Sequence, residues 1–388
     1  MAQKNILKSS LFTLALALLI SCNQEPKVPA DSFTVSGTIK GLDTEFMTRS
    51  IRDANGKRSS DSIFVKNGTF TYTAKISKAE HIIFWPNVER TIKRSGRGYF
   101  PAKSSQFAFL AKPGDHIVFK GDITDFINAY PSGTKANDDL AKINSKVFPI
   151  MNASVNFLLK KNKLEKDDPR VGVINDSIKQ LNEEVVSLKK EFIMTNSTSE
   201  AAVWYLSDMM LRRQLSNKDA IVAFKAFDAN LAENTHYKEV ASRIKGIEST
   251  MIGNIVPDFT TNKTLDAKDF TFSSLRGKYV LIDFWGIWCG PCVAEMPTVK
   301  KYANKYADKL TVLGINSGDT KEKIKDFITK NGYDWKQVLS GKNTDNLVLK
   351  FNVSGFPTKF IIDPEGKILH RYLGDSEASF SKLDELLK

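Results

Sequence analysis

The sequence predicts a mixed α/β protein of 388 residues with three folded regions, and three patterns indicate this class. Short strand-like segments separated by turns occupy residues 32–130, and apolar residues with a helical spacing follow over residues 136–251. Strand-like and helix-like segments then alternate over residues 252–388, which is typical of a sheet covered by helices. We therefore predict a small β-sandwich-like region, a helical region and a C-terminal α/β domain.

Residues 1–22 resemble a secretion signal of the bacterial lipoprotein type. Two lysines precede an apolar run over residues 11–20, which is too short to span a bilayer comfortably. The run ends in Leu19-Ile20-Ser21-Cys22, which is similar to a lipobox. The resemblance implies that Cys22 becomes a lipidated N-terminus, so that the protein is anchored to a bilayer and does not span it. An ordinary signal peptide with an incidental cysteine is the alternative.

The next residues, 23–31, contain two prolines and are expected to form a flexible tether. In the β region that follows, Lys66-Asn67-Gly68-Thr69 separates two strand-like segments and predicts a hairpin. A second turn is predicted at Lys112-Pro113-Gly114-Asp115. His81 stands alone beside apolar residues, so we expect it to pack in the interior and not to bind a metal.

The region 136–251 shows the spacing of packed helices. Apolar residues recur every three or four positions from Ile174 to Phe192, which predicts a helix that buries one face. A second stripe runs from Leu140 to Met151, and Pro149 is expected to bend or break that helix. Further helices are predicted over residues 200–215, 218–231 and 237–251. We interpret the region as a spacer or bundle, with a docking surface as the alternative.

The net charge of +12 is concentrated in the first 130 residues. Its densest cluster consists of Arg90, Lys93, Arg94 and Arg97. The cluster indicates either a contact with anionic headgroups or an acidic partner, or simply a solvated loop. Basic and aromatic residues do not alternate in a stripe, so we expect no nucleic-acid partner.

The chemistry is expected at Trp288-Cys289-Gly290-Pro291-Cys292, which follows a strand-like run and precedes a helix-like segment. Backbone N–H groups and the dipole of a helix N-terminus stabilise a thiolate, so Cys289 is the predicted nucleophile. Cys292 is the predicted resolving thiol and is close enough in sequence to close a disulfide with Cys289. Because a second C-x-x-C and paired histidines are lacking, we favour redox chemistry over a zinc site and expect no metal and no separate cofactor.

Several segments in residues 252–388 resemble the thioredoxin family. Residues 283–292 are very similar to the thioredoxin active-site segment, and Val353-Ser354-Gly355-Phe356-Pro357-Thr358 matches the loop that holds the cis-proline of that family. Further segments resemble the TlpA/ResA branch of membrane-tethered extracytoplasmic thioredoxins, namely residues 256–259, 274–278, 292–297 and 362–366. The layout of the β region resembles a domain of unknown role that precedes thioredoxin modules in lipoproteins of Bacteroides-type bacteria.

Two acidic residues are assigned roles in activating the thiols. Asp283 lies six residues before Cys289 and is predicted to be a buried base that activates Cys292, with a structural, hydrogen-bonded carboxylate as the alternative. Glu295 shares a helix face with Cys292, and the resemblance implies that it tunes the thiols or contacts substrate. A solvated helix carboxylate is the alternative for Glu295.

Substrate contacts are expected around the cysteines. We expect Pro357 to be cis, which leaves the backbone of Phe356 free to pair with an extended substrate segment. Trp288 is expected to shield the nucleophile and to offer an apolar contact, with plain packing as the alternative. Gly290 and Pro291 resemble the pair between the cysteines of reducing thioredoxins.

These features predict a thiol-disulfide oxidoreductase that reduces protein disulfides, is lipid-anchored in the bacterial cell envelope and faces the periplasm. Its expected partners are protein dithiols and disulfides, a membrane thiol relay that donates electrons, and the lipid bilayer. The alternatives are a disulfide oxidase or isomerase, a thiol peroxidase, or a binding lipoprotein in which the N-terminal regions have the main function.

Overall fold

The computed structural model describes residues 28–52, 58–96, 98–341, 345–374 and 376–388. The predicted signal segment with Cys22, most of the predicted tether, and Arg97 lie outside these ranges. The predicted mixed α/β class is confirmed, with a β-rich N-terminal region, a helical middle region and a C-terminal five-stranded sheet with helices. Within the ranges above, every helix is too short or too polar to cross a membrane.

The N-terminal region is sandwich-like, as predicted. Its strands are β1 (Ser32–Lys40), β2 (Phe46–Arg52), β3 (Arg58–Lys66), β4 (Thr69–Lys75), β5 (Glu80–Phe84), β6 (Lys93–Ser95), β7 (Gly98–Phe100), β8 (Phe107–Ala111), β9 (His116–Ile123) and β10 (Ile127–Ser132). One sheet has the order β10-β9-β1-β4-β3-β2, with β1 and β9 parallel and the other neighbours antiparallel. The β5–β8 ribbon covers it through aromatic contacts such as Phe107 with Phe119, whose ring centroids are 5.2 Å apart.

The predicted hairpin joins β3 and β4. Asn67 and Gly68 both have positive φ, at 51° and 72°. A two-residue turn of this kind matches the right-handed twist of the two strands, and glycine and asparagine tolerate the conformation best. The Asn-Gly pair therefore fixes where the chain reverses.

The middle region is helical. Its helices are α1 (Lys135–Lys161), α2 (Arg170–Thr195), α3 (Glu200–Leu211), α4 (Asn217–Lys225) and α5 (Thr235–Ser249). Polar side chains cap the N-termini of α1, α3, α4 and α5, where Thr134, Ser199, Ser216 and Asn234 accept hydrogen bonds from backbone N–H groups. Asn137 in α1 bonds both the N–H and the C=O of Leu110 in β8, and this contact ties the helical region to the sandwich.

Pro149 lies inside α1 and does not break it, so the expected break is wrong, while the alternative expectation of a bend stays a prediction. The helix runs through Pro149 without interruption. Leu140, Ile143 and Val147 on its apolar stripe are buried in a core shared with α2 and α3. This packing offsets the backbone hydrogen bond that proline cannot donate.

The C-terminal domain has a thioredoxin-like arrangement. Its elements are β11 (Thr260–Thr261), β12 (Phe270–Thr271), β13 (Tyr279–Trp285), α6 (Gly290–Lys305), β14 (Leu310–Asn316), α7 (Lys321–Asn331), β15 (Lys336–Leu339), α8 (Leu347–Lys350), β16 (Thr358–Ile362), β17 (Ile368–Leu373) and α9 (Ser376–Leu387). The sheet order is β15-β14-β13-β16-β17, with β13, β14 and β15 parallel and β16 antiparallel to both of its neighbours. Both faces of the sheet are covered by apolar cores. The central strand β13 is therefore apolar along its length, with Asp283 as its one charged residue.

Helix α5 contacts the segment that leads to the predicted cis-proline loop. A Cβ atom added at Gly246 would lie 2.5 Å from the carbonyl oxygen of Leu349 and 2.7 Å from that of Lys350. Arg243, also in α5, donates a hydrogen bond of 3.4 Å to the carbonyl oxygen of Val353. The helical region therefore packs directly against the redox domain beside that loop.

Candidate active site at the start of helix α6

The two cysteines lie where β13 ends and α6 begins. Cys289 is the N-cap residue of α6 and is bonded to Cys292 in a disulfide. The backbone N–H of Cys292 points at Cys289 Sγ over 3.3 Å, so a thiolate on Cys289 would accept that hydrogen bond after reduction. Cys289 is 5% exposed and Cys292 is 1% exposed, so the first cysteine is the more accessible of the two.

The loop before the cysteines is held by residues that the sequence did not single out. Asp319 Oδ2 accepts hydrogen bonds from the Ile287 N–H at 2.7 Å and from Asn316 Nδ2 at 3.0 Å. The buried Trp285 donates from Nε1 to Gln337 Oε1 over 2.9 Å. These contacts fix the backbone from which Cys289 projects.

An exposed aromatic edge borders the disulfide. Trp288 is 58% exposed, and its Nε1 donates to the carbonyl oxygen of Ser317 over 2.7 Å. Its ring lies edge-to-face with Phe356 at a centroid distance of 5.1 Å. Gly318 has a φ of +94°, and a Cβ atom there would approach Trp288 Nε1 to 3.0 Å. The indole is thus held at the surface in one orientation and is not buried as a packing residue.

The predicted cis-proline loop lies beside this aromatic edge, where Phe356 contacts Trp288. The Phe356–Pro357 peptide bond is cis, as predicted. Among the described residues we find no hydrogen bond to the backbone of Phe356. Gly290 and Pro291, between the cysteines, are both exposed. All the predicted substrate-contact residues therefore meet at one face.

A buried ion-pair cluster lies in the same domain, and its central residue was not predicted from the sequence. Lys359 is 1% exposed and donates from Nζ to Asp283 Oδ1 over 2.9 Å. It also pairs with Glu295 on α6. Asp283 and Lys359 are direct neighbours across the β13–β16 pair. Lys359 thus bridges Asp283 and Glu295, the two acidic residues that were predicted from the sequence to activate the thiols.

The electrostatics of this cluster are set by burial and by its mixed charges. Burial raises the pKa of Glu295 against the opposing effect of Lys359. Burial alone would lower the pKa of Lys359, but Asp283 and Glu295 together raise it. Glu295 is therefore not a solvated helix carboxylate. The roles of Asp283 as a base and of Glu295 in tuning the thiols remain predictions.

Comparison with known proteins identifies the family. The model of the Redoxin family matches residues 251–387, which include both cysteines and the ion-pair cluster. The thiol-disulfide oxidoreductase ResA of Bacillus cereus is 30% identical over 129 residues, which cover 33% of this chain and 73% of ResA. The chain belongs to the thioredoxin-like thiol-disulfide oxidoreductases. As a thiol-disulfide oxidoreductase, it acts on dithiols and disulfides of proteins.

Three further comparisons give partial matches. The thioredoxin-like protein YneN of Bacillus subtilis is 32% identical over 168 residues, which cover 42% of this oxidoreductase and 92% of YneN. The thioredoxin domain of a thiol-disulfide oxidoreductase from Bacteroides vulgatus is 28% identical, with a TM-score of 0.33, and the match covers 36% of this chain and 99% of that domain. A domain of unknown function, DUF4369, matches residues 33–140, which are the β region and the start of α1.

Proposed function

We propose that this oxidoreductase reduces protein disulfides outside the cytoplasm. The observation that supports this best is the Gly290-Pro291 pair between the cysteines, placed at a helix N-terminus beside an exposed aromatic edge. This pair resembles that of thioredoxin, whose potential is about −270 mV, far below that of strong oxidants at about −120 mV. The Cys289–Cys292 pair itself holds the two electrons, and no separate cofactor takes part.

The reaction starts from the reduced enzyme. The Cys289 thiolate attacks one sulfur of the substrate disulfide, and the other substrate sulfur leaves as a thiol after protonation. Cys292 then loses its proton and attacks Cys289 Sγ, which forms the enzyme disulfide and releases the second substrate thiol. The substrate gains two electrons and two protons, and an external dithiol must reduce the enzyme again.

The proton of Cys292 needs an acceptor because that thiol is buried. We assign this role to Asp283, which Lys359 holds in place from the neighbouring strand. Glu295, whose pKa burial raises, lies one helical turn after Cys292 and adjusts the charge around the thiols. The positive charge of Lys359 offsets the cost of burying the carboxylates of Asp283 and Glu295.

Substrate binding is proposed along the cis-proline loop. The backbone of Phe356 is available to pair with an extended segment, as in β-strand addition. A shallow groove of about 620 Å³ continues from there, lined by Pro291, Glu295 and Pro357 among others. An unfolded or locally extended substrate would thus present its disulfide to Cys289 between this groove and Trp288.

The location of the enzyme is proposed from the sequence. Lipidation of Cys22 would anchor it to a membrane of the bacterial cell envelope, with the redox domain in the periplasm. Anchoring would also keep it near the membrane thiol relay that we propose as electron donor. Cys22→Ser should move the protein from the membrane to the soluble fraction of cells. The control variant Ser21→Ala should stay with the membrane.

Turnover measurements test the proposed activity. With a dithiol as electron donor and a disulfide-bonded protein as substrate, the full chain should reduce the substrate catalytically. Cys289→Ser should abolish turnover, whereas Cys292→Ser should accumulate a mixed disulfide with the substrate. Rapid consumption of peroxide in place of disulfides would favour a thiol peroxidase, and rearrangement without net reduction would favour an isomerase.

A further inference from the structure

A cavity of about 670 Å³ lies between the sandwich and the helical region, far in sequence from the cysteines. Its walls come from β5, β8 and the segment before β8, and from α1, α2 and α3. Most of its surface is apolar, with contributions from Phe148, Met151, Val155, Ile178, Val185 and Trp204. Its volume is that of a pocket for a small molecule. The redox chemistry described above does not use it.

A lysine without an ion-pair partner lines this cavity. Lys189 of α2 is 2% exposed, and within the described residues it has no carboxylate within 4.0 Å and no hydrogen-bond acceptor. The nearest acidic residue of the cavity region, Asp208, is already paired with Lys103 at 2.6 Å and with Arg212 at 3.0 Å. Burial lowers the pKa of Lys189 to about 8, so its ammonium group still predominates at neutral pH. The Tyr205 ring, whose centroid lies 5.5 Å from Lys189 Nζ, offsets part of the cost of burying this charge, and no carboxylate of the described residues offsets the rest.

Further polar groups of this cavity lack partners. Ser104 Oγ and Gln214 Oε1 are buried and have no hydrogen-bond partner among the described residues. Both residues line the cavity with Lys189. Lys103, Lys189 and Arg212 contribute three positive charges to the lining, and Asp208 offsets one of them. The lining therefore combines a large apolar wall with a positively charged, hydrogen-bonding portion.

We propose that this cavity binds a small amphiphile with a single carboxylate, of the fatty-acid class. The carboxylate would pair with the Lys189 ammonium group and accept from the Ser104 hydroxyl, and the chain would lie against Phe148, Met151 and Val155. Pairing would compensate the charge of Lys189, and burial of the methylene groups of the chain would supply the rest of the affinity. The N-terminal two thirds of the chain would then have a binding function of its own.

Calorimetric titration of the full chain tests the proposal, with decanoate as the anionic probe and 1-decanol as the neutral one. The unmodified protein should bind decanoate more tightly than 1-decanol. Lys189→Met should weaken decanoate binding about tenfold or more, because a charged hydrogen bond is lost, and should leave 1-decanol binding unchanged. Lys179→Met, on the exposed side of the same helix, is the matched control and should change neither affinity. Equal decanoate affinities of the Lys189→Met variant and the unmodified protein would overturn the proposal.

A second variant keeps the test decisive if Lys189→Met affects folding. Ala108→Phe places a ring in the cavity from β8, opposite Ile83 in the β5–β8 pair. This variant should lose most of its affinity for both probes, while thermal unfolding and disulfide-reductase turnover stay close to those of the unmodified protein. Undiminished binding of decanoate to Ala108→Phe would show that the probe binds elsewhere and would contradict the proposal.

Discussion

Lys359 Nζ lies 2.9 Å from Asp283 Oδ1, and the two residues face each other across neighbouring strands in the interior of the redox domain. Lys359→Met would leave Asp283 and Glu295 buried together without a cation. Loss of one partner from a buried ion pair costs about 3–5 kcal/mol. We expect a decrease of this size in the free energy of unfolding at neutral pH, measured by urea denaturation.

The pH dependence separates this effect from simple loss of packing. Burial raises the pKa of Glu295, so this residue takes up a proton readily as the pH falls. The decrease in the free energy of unfolding caused by Lys359→Met should therefore become smaller in acid, because a protonated Glu295 no longer needs a cation. Lys367→Met, at an exposed position before β17, should leave the free energy of unfolding nearly unchanged. A deficit that is constant from acid to neutral pH would argue against the electrostatic explanation.

Asp283→Asn tests the proposed base. The attack of Cys289 on substrate should be little affected, whereas release of the mixed disulfide by Cys292 should slow on the order of 100-fold, the usual contribution of general-base catalysis. Stopped-flow measurement of the two steps distinguishes them. Asp326→Asn, at an exposed position of α7, is the control. Equal slowing of both steps would point to a structural role for Asp283.

Gly246→Ala tests whether the helical region supports the cis-proline loop. The added methyl group would clash with the carbonyl oxygens of Leu349 and Lys350, so α5 must move away from the redox domain. We expect destabilisation of about 1–3 kcal/mol and a raised KM for a protein disulfide. Gly172→Ala is the control, because nothing lies within 4 Å of its Cβ position in α2. That control should stabilise the protein by up to about 1 kcal/mol. An unchanged KM for Gly246→Ala would show that the two regions are functionally independent.

The half-buried imidazole of His81, whose Nε2 is shielded from solvent, should make the protein sensitive to acid. Burial lowers the pKa of His81 from 6.5 to about 3, and its ring stacks on Trp204 at 4.1 Å. The unfolded chain therefore takes up a proton before the native protein does, and stability falls as the pH decreases from 6.5 towards 3. His81→Phe should make the free energy of unfolding less dependent on pH between 6.5 and about 3, by up to about 1.4 kcal/mol per pH unit. Ile83→Phe, on the same strand, should leave the slope unchanged, and an unaltered slope for His81→Phe would contradict the assignment.

The elements of the redox domain were predictable because each has a local signal. The apolar run of β13, the cysteines at the helix start and the loop of Pro357 are all visible in the sequence, and the structure brings them to one face. The Asn67-Gly68 turn was predictable for the same reason. Such features depend on residues within a few positions of one another.

Features that depend on distant contacts were missed. Lysine is rarely buried, and Lys359 meets Asp283 only through the pairing of strands 76 positions apart in sequence. The continuity of α1 through Pro149 depends on packing against other helices. The cavity around Lys189 arises from three helices and two strands, so the helical spacing of α2 gave no sign of a buried charge.

The reduction potential of the Cys289–Cys292 pair tests the proposed direction of electron flow most directly. Equilibration of the full chain with glutathione or dithiothreitol buffers, followed by trapping of free thiols, gives this value. The Cys292→Ser variant is the control and should show no two-electron transition. A potential of about −270 mV is predicted for a reductase. A potential above about −180 mV would contradict the proposed reductase function and indicate an oxidase or isomerase of disulfides.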